Sequence, residues 1–366
     1  MACGPGVVLM KRILAICFFL TLPVAAQQYK IAIVGMMHGH VWGHLNTMLK
    51  GEHAKLVGIA ESEPELIQEA KRRGATSIPF FSDYRKMLDE LKPDIVWAFV
   101  ENNRHLEIVK QCAPRKIQVI FEKPLASTYA EAVAIQQLAN QYGIRVMTNY
   151  QMAWWPANYA AKAQADAGAV GRIVRLRGIV GHGGPGGLTG LGRFFIQWLT
   201  DPVKNGGGAL MDFGCYNALW ALWFMGRPET ICAQVNHVRP QEFPKVEDNA
   251  TLMLHYKDKV GIFEASWDLP RSFQDLEVFG LGGSLYMKNG SVELRKGRET
   301  KEVPLEPLPP ERSDPIAYMV HCIRSNQPIQ GLTALDINVG VNEIIEAAKI
   351  SVQTGRAVKL PLAAVR

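Results

Sequence analysis

The stretch Ile117-Gln118-Val119-Ile120-Phe121-Glu122-Lys123-Pro124 decides how the rest of the chain is read. Ile117 to Phe121 has the length and β-branched content of a buried strand. Glu122 and Lys123 follow with no spacer. Pro124 then removes an N–H and biases Lys123 toward an extended backbone. The strand therefore ends on a carboxylate and an ammonium, at the edge where open α/β sheets bind ligands. A surface ion pair and a ligand-facing pair both satisfy these residues alone.

Upstream, Lys30–Gly35, Lys55–Ala60 and Ile95–Val100 are short apolar runs of the same kind. Helical patterns lie between them, near 41–50, 63–73, 83–91 and 104–112, with Gly74 placed to stop the second. Downstream, 129–142 reads as a helix ending at Gly143, and 144–147 closes the series. Strands alternating with helices, each strand apolar throughout, specify a parallel sheet covered on both faces. After Asn149 the texture changes. Segments 172–180, 230–238, 250–256, 261–267, 276–279 and 283–287 read as strands with few helices between them, and helices return at 314–325 and 334–354. The expected architecture is α/β: a Rossmann-type parallel-sheet domain over 28–148, then an α+β domain over 149–366 with a large, mostly antiparallel sheet.

Residues 1–26 read as a secretory leader. Lys11-Arg12 is the basic region, Ile13 to Pro23 the apolar region, and Val24-Ala25-Ala26 a small-residue cleavage site, with Met10 as a natural start. The apolar run is too short to span a bilayer. The expected location is the periplasm or the exterior, with no membrane attachment in the mature form. Losing Lys11 and Arg12 lowers the formal charge of +6 by two. The remaining basic residues are scattered without interleaved aromatics, which argues against nucleic acid. Cys112, Cys215, Cys232 and Cys322 form no Cys-x-x-Cys pair; they read as buried free thiols or, in an exported chain, as disulfide partners of unassigned pairing.

Gly35 stands where a dinucleotide fold places its first glycine, but the second and third fingerprint positions hold Met37 and His40. Gly39 and Gly43 are out of register. A glycine turn, a helix N-terminus and a βαβ setting survive, and these suit an anion. Glu61 follows the second strand at the position of the acid that binds a ribose 2′-hydroxyl, which favours NAD over NADP. His38, His40 and His44 crowd the same turn and admit three readings: a metal pair, contacts to cofactor or substrate, or structural histidines. No acidic residue stands beside them in sequence, and no metal ligand set is assigned.

Gly206-Gly207-Gly208-Ala209-Leu210-Met211-Asp212-Phe213-Gly214-Cys215-Tyr216-Asn217 is the second informative stretch. Three glycines precede one helix continuing through Phe224. On it Asp212 and Tyr216, four apart, share a face. With Lys123 they make a set fit for moving a proton. Gly181–Gly192 lacks the Lys-Ser/Thr of a phosphate loop and reads as a substrate loop or a linker. Trp154, Trp155 and Trp198 are candidates for an aromatic wall beside a sugar ring or for core packing.

The glycine turn, Glu-Lys-Pro after a late strand and Gly-Gly-x-x-x-Asp-x-Gly-x-Tyr resemble the glucose–fructose oxidoreductase/inositol dehydrogenase (Gfo/Idh/MocA) family. Asn102-Asn103-Arg104-His105, Val246–Ala250 and Ser351–Arg356 resemble that family's loop after the third apolar strand, its approach to the large sheet and its last helix end. The resemblance implies an NAD-dependent oxidoreductase acting on a sugar or polyol, and a dimer or tetramer. It implies Lys123, Asp212 and Tyr216 as catalytic residues, Tyr216 standing where histidine is usual. It places Gly35, Met37, His38, Gly39, Glu61, Asn102, His105, Glu122 and Lys123 around the cofactor. Tyr216 would take the hydroxyl proton, its phenolate favoured by the Lys123 charge. Export to a compartment poor in free NAD raises an alternative, a glycosidase- or epimerase-like cycle on tightly held NAD. The broken fingerprint raises another, a carbohydrate-binding protein without cofactor.

Overall fold

The computed structural model describes residues 1–4, 28–186 and 190–362. Almost all of the expected leader, including its cleavage site, lies outside the described residues. No described helix is long and apolar enough to cross a membrane.

The first half runs β1 (Tyr29–Val34), α1 (Val41–Lys50), β2 (Ala54–Ala60), α2 (Pro64–Arg72), β3 (Phe80–Phe81), α3 (Tyr84–Leu91), β4 (Ile95–Ala98), α4 (His105–Cys112), β5 (Gln118–Glu122), α5 (Tyr129–Tyr142) and β6 (Val146–Asn149). The strands form one parallel sheet in the order β3-β2-β1-β4-β5-β6. This order reverses direction beside β1, so the carboxyl ends of β1 and β4 open a crevice. Helix ends are set locally. Thr128 and Glu131 form a reciprocal capping box at the start of α5, and Gly143 closes it in the left-handed region. β4 and β5 are buried along almost their whole length, as strands covered on both faces must be.

The second half runs α6 (Pro156–Asp166), β7 (Ile173–Gly181), α7 (Gly192–Leu199), α8 (Ala209–Asp212), α9 (Gly214–Met225), β8 (Thr230–Asn236), β9 (Asn249–His255), β10 (Val260–Ser266), β11 (Phe273–Gly280), β12 (Gly283–Lys288), β13 (Ser291–Lys296), β14 (Glu299–Glu302), α10 (Pro315–Arg324), α11 (Leu335–Thr354) and β15 (Val358–Lys359). Its nine-stranded sheet is ordered β14-β13-β12-β11-β7-β10-β9-β8-β15. Every pair is antiparallel except β7–β10. α6, α7, β13, β14 and β15 were not read from the sequence. β14 is exposed at every residue, so it carries no alternation to betray it.

One expectation fails here. The glycine-led helix is two helices, broken at Phe213 (φ −112°), so Asp212 ends one and Tyr216 lies in the first turn of the next. α11 packs on α5, α9 and β8. It reaches the segment after Lys123 through Asn342 Nδ2, which donates to Ala126 O at 2.7 Å, and Lys349 Nζ, which donates to Ser127 O at 3.0 Å. The Lys123 corner is thereby fixed against the second half.

Candidate active site

Successive side chains of a strand point to opposite faces, and β5 ends by sending Glu122 one way and Lys123 the other. Lys123 Nζ donates to Asp212 Oδ1 and, at 3.0 Å, to Asp212 O. The other carboxylate oxygen of Asp212 accepts from Trp267 Nε1 at 2.9 Å. The ammonium lies 5.2 Å from the centroid of the Tyr216 ring and 5.5 Å from that of Phe213. Tyr216 meets Tyr150 edge-on at 5.2 Å. The three expected catalytic side chains thus converge from both halves, and Lys123, Asp212 and Tyr216 are only 6%, 5% and 4% exposed.

The chain reaches this position by a close approach. A Cβ on Gly208 would lie 1.9 Å from Glu247 O. Glu247 closes the start of α8: its carbonyl accepts from Ala209 N at 2.9 Å, and Oε1 accepts from Gly208 N at 2.7 Å and Leu210 N at 3.1 Å. Neither Glu247 nor Trp267 was singled out for the site from the sequence. The only available signal was that both stand at ends of strand-like runs.

Burial is the largest influence on every ionisable group here. It opposes charge on Lys123 and Asp212, but each ion favours the other strongly enough to raise the lysine and lower the aspartate from their ordinary values. Burial also raises the Tyr216 phenol, and the Lys123 charge only partly offsets it. The expected lowering of Tyr216 is therefore overturned: the phenol keeps its proton at neutral pH. His182, at the end of β7, meets Phe213 edge-on at 4.9 Å and is held below its usual value by burial.

On the other face, Glu122 Oε1 accepts from Asn149 Nδ2 at 2.8 Å, and Oε2 lies 2.8 Å from His40 Nδ1. Asn149 Oδ1 in turn accepts from Trp154 Nε1 at 2.7 Å. An acidic residue does stand beside the histidines once the chain folds, contrary to its absence in sequence. His38 is buried under Phe195 (4.7 Å) and Trp198 (5.5 Å) of α7, and Trp198 Nε1 donates to Met37 O at 3.4 Å. Trp198 is core rather than sugar wall. Arg193 pairs with Glu65 at 2.5 Å and pins α7 to α2.

Gly35 turns the chain at φ +73°, where a Cβ would strike Val100 Cγ1 at 2.4 Å. Beside it lies a cleft of about 300 Å³, lined by Gly35, Met37, Glu61, Glu63, Glu101 and Arg104 among others. Glu61 Oε2 accepts from Met36 N at 2.7 Å, and Oε1 accepts from Ser62 N at 2.8 Å and Glu63 N at 2.9 Å. A carboxylate offers about four acceptor sites, so Glu61 retains capacity for a hydroxyl while bracing the turn. The cleft, the acid at the end of β2 and the turn before α1 fit a dinucleotide. Met37 in place of a second glycine narrows the approach.

Two residues assigned to the cofactor are placed otherwise. His105 is fully buried, stacked on Phe121 at 4.1 Å, with Nδ1 2.9 Å from Leu125 O. The Asn102 amide donates to Asn205 Oδ1 at 2.7 Å and so ties the loop after β4 to the second half. Both act as supports. Aromatic packing and loop docking are tertiary outcomes that a short motif does not reveal.

Residues 29–150 match the family described as "Oxidoreductase family, NAD-binding Rossmann fold", and residues 159–286 match the "GFO/IDH/MocA C-terminal domain". Together these matches cover more than half of the chain. A levoglucosan dehydrogenase of Pseudarthrobacter phenanthrenivorans is 28% identical over 261 residues, covering 62% of this chain and 63% of that protein. A D-xylose 1-dehydrogenase (NADP(+)) of Haloferax volcanii is 26% identical over 208 residues, covering 54% and 61%. The chain thus spans about three-fifths of the length of these curated relatives. A solved aldose-aldose oxidoreductase of Caulobacter crescentus, complexed with glycerol, superposes with TM-score 0.78 at 21% identity, covering 91% of this chain and 100% of that one. At that identity the likeness is one of fold.

Proposed function

Because this chain belongs to the Gfo/Idh/MocA family of NAD-binding oxidoreductases, we propose that it interconverts a hydroxyl and a carbonyl on a sugar or polyol, with Lys123, Asp212 and Tyr216 managing the oxygen and its proton. The carrying observation is that Lys123 Nζ, with two acceptors on Asp212 for its three N–H groups, stands 5.2 Å from the centroid of the Tyr216 ring. NAD, when bound, supplies or accepts the hydride. Gly35, Met37 and Glu61, which line the cleft beside the turn, would hold it along the crevice, with Lys123 toward its inner end. Glu61, Glu63 and Glu101 line the cleft with only Arg104 against them, which disfavours a 2′-phosphate and so NADP.

Lys123 donates to the substrate oxygen. Asp212, held by Trp267, keeps the ammonium charged and aimed. In reduction, the Tyr216 phenol gives its proton to that oxygen as the carbonyl carbon gains hydride. In oxidation, the same phenolic oxygen must first be bare, so the reaction is favoured by alkali. Both sugar-dehydrogenase relatives accord with this substrate class. The test is turnover of aldoses and polyols with NAD or NADH, followed at 340 nm (from the nicotinamide absorbance). Saturable nicotinamide binding with no turnover of any hydroxyl or carbonyl substrate counts against the assignment.

The packing of α7 favours a second reading. Phe195 packs on His38 and Trp198 bonds Met37 O in the turn, while the Arg193–Glu65 pair ties α7 to α2, a brace suited to holding one NAD through repeated cycles. Glycoside cleavage or epimerisation by the natively purified protein, without added NAD, would distinguish a recycling enzyme. Native mass spectrometry would read retained cofactor and subunit number together, and a dimer or tetramer is expected. Export to the periplasm or exterior is proposed from the leader alone, and N-terminal sequencing of secreted protein tests it.

A further inference from the structure

Among the described residues, one cluster gathers ligand types for a metal ion. One ligating atom from each of His38, His40 and Glu122 lies within 4.8 Å of the other two. A fourth group, His44 Nε2, stands 3.9 Å from Glu122 Oε1. The Glu122 side chain is 2% exposed, and the imidazoles of His40 and His44 stand against it, with His105 also near enough to feel its charge. Its sequence neighbour Lys123 is turned away to Asp212.

A buried carboxylate without a full counter-charge is costly. A divalent ion held between the imidazoles and Glu122 would supply that counter-charge. The supports that metal sites use are also in place. Asn149 orients Glu122 and is itself held by Trp154. His44 lies against Trp97 at 4.4 Å. His38 Nδ1 accepts from His40 N at 3.2 Å, and its ring is held in place by Phe195 and Trp198.

We propose that His38, His40 and Glu122 form a binding site for a divalent transition metal of the zinc class, with His44 or water completing the coordination. Two imidazoles and one carboxylate suit such ions, whereas calcium and magnesium prefer all-oxygen shells. Glu122 leaves β5 on the face opposite Lys123, although the Lys123 charge still reaches His38, and the site's existence does not depend on which substrate is turned over.

The test uses the full chain without a histidine tag, stripped of metal and nucleotide. It is titrated with zinc chloride by calorimetry, and with cobalt(II) by visible absorption. One saturable zinc per chain is expected, with ligand-field bands for cobalt that zinc bleaches. Glu122→Gln and His40→Asn should each weaken binding by about 10- to 100-fold or more. His40 is half-exposed, so His40→Asn tests the site even if Glu122→Gln fails to fold. Absence of a saturable site, or a His40→Asn variant that binds zinc as tightly as the parent, overturns the proposal.

Discussion

Glu122 and Lys123 are adjacent in the chain, yet the two ion pairs that begin there are built differently. Lys123 enters a dry cluster in which both Asp212 oxygens are committed and Tyr216 and Phe213 cover the ammonium. Glu122 faces imidazoles, one of them, His40, 46% exposed. In the first corner each charge is strongly dependent on the other. In the second, a half-exposed partner open to solvent softens the dependence. A single strand end can therefore hold a rigid charge pair on one face and an adaptable, ligand-ready carboxylate on the other.

The sharpest way to break this contrast is Lys123→Ala. It leaves Asp212 buried without its partner, so a stability loss of about 3–5 kcal/mol is expected by urea titration. Turnover should fall by at least about 10³-fold, while nicotinamide binding, followed by fluorescence, survives. Unchanged activity would remove Lys123 from the chemistry.

Next in size is the proton-handling partner. Tyr216→Phe should lower turnover by about 10²- to 10⁴-fold. Tyr216→His should instead move the onset of oxidation from the alkaline range toward neutrality, because an imidazole ordinarily loses its proton near pH 6.5. A parent pH–rate curve for oxidation that levels off below about pH 8 would contradict the raised phenol.

The helix stacked on this strand through His105 gives a smaller effect. Burial lowers His105 from 6.5 to about 4. Its folded-state value is depressed, so its contribution is complete above the unfolded value and is lost as pH falls through about 4. Melts between those limits should show stability decreasing on acidification, by at most about 1.4 kcal/mol per pH unit from this group. His105→Gln should flatten that slope.

The smallest effect is expected at the open corner. His40→Ala removes one half-exposed partner of Glu122 and should cost about 0.5–1.5 kcal/mol in the same urea titration. A loss as large as that of Lys123→Ala would show that the two corners are equally rigid.

Much of this was legible before folding, and the legible part has a common character. β1, β4 and β5 announce themselves as unbroken apolar runs, and α5 begins at a capping box and ends at a glycine. Each signal is carried by residues a few positions apart, where backbone sterics, side-chain period and capping act locally. The same holds for the motif residues Lys123, Asp212 and Tyr216, whose types stand out in short stretches. The break at Phe213 was not legible, because it depends on Glu247 closing α8 from a distant loop.

The chain alone thus determined the strand–helix alternation of its first half, the two-sheet architecture and the residue types offered at the sheet edge. Only the tertiary structure decided their states and partners. His40 meets Glu122 across 82 residues, and Trp267 meets Asp212 across 55. Burial keeps the proton on Tyr216 against the pull of the Lys123 charge. Desolvation is a property of everything packed around a group, so no local pattern in the sequence can report it.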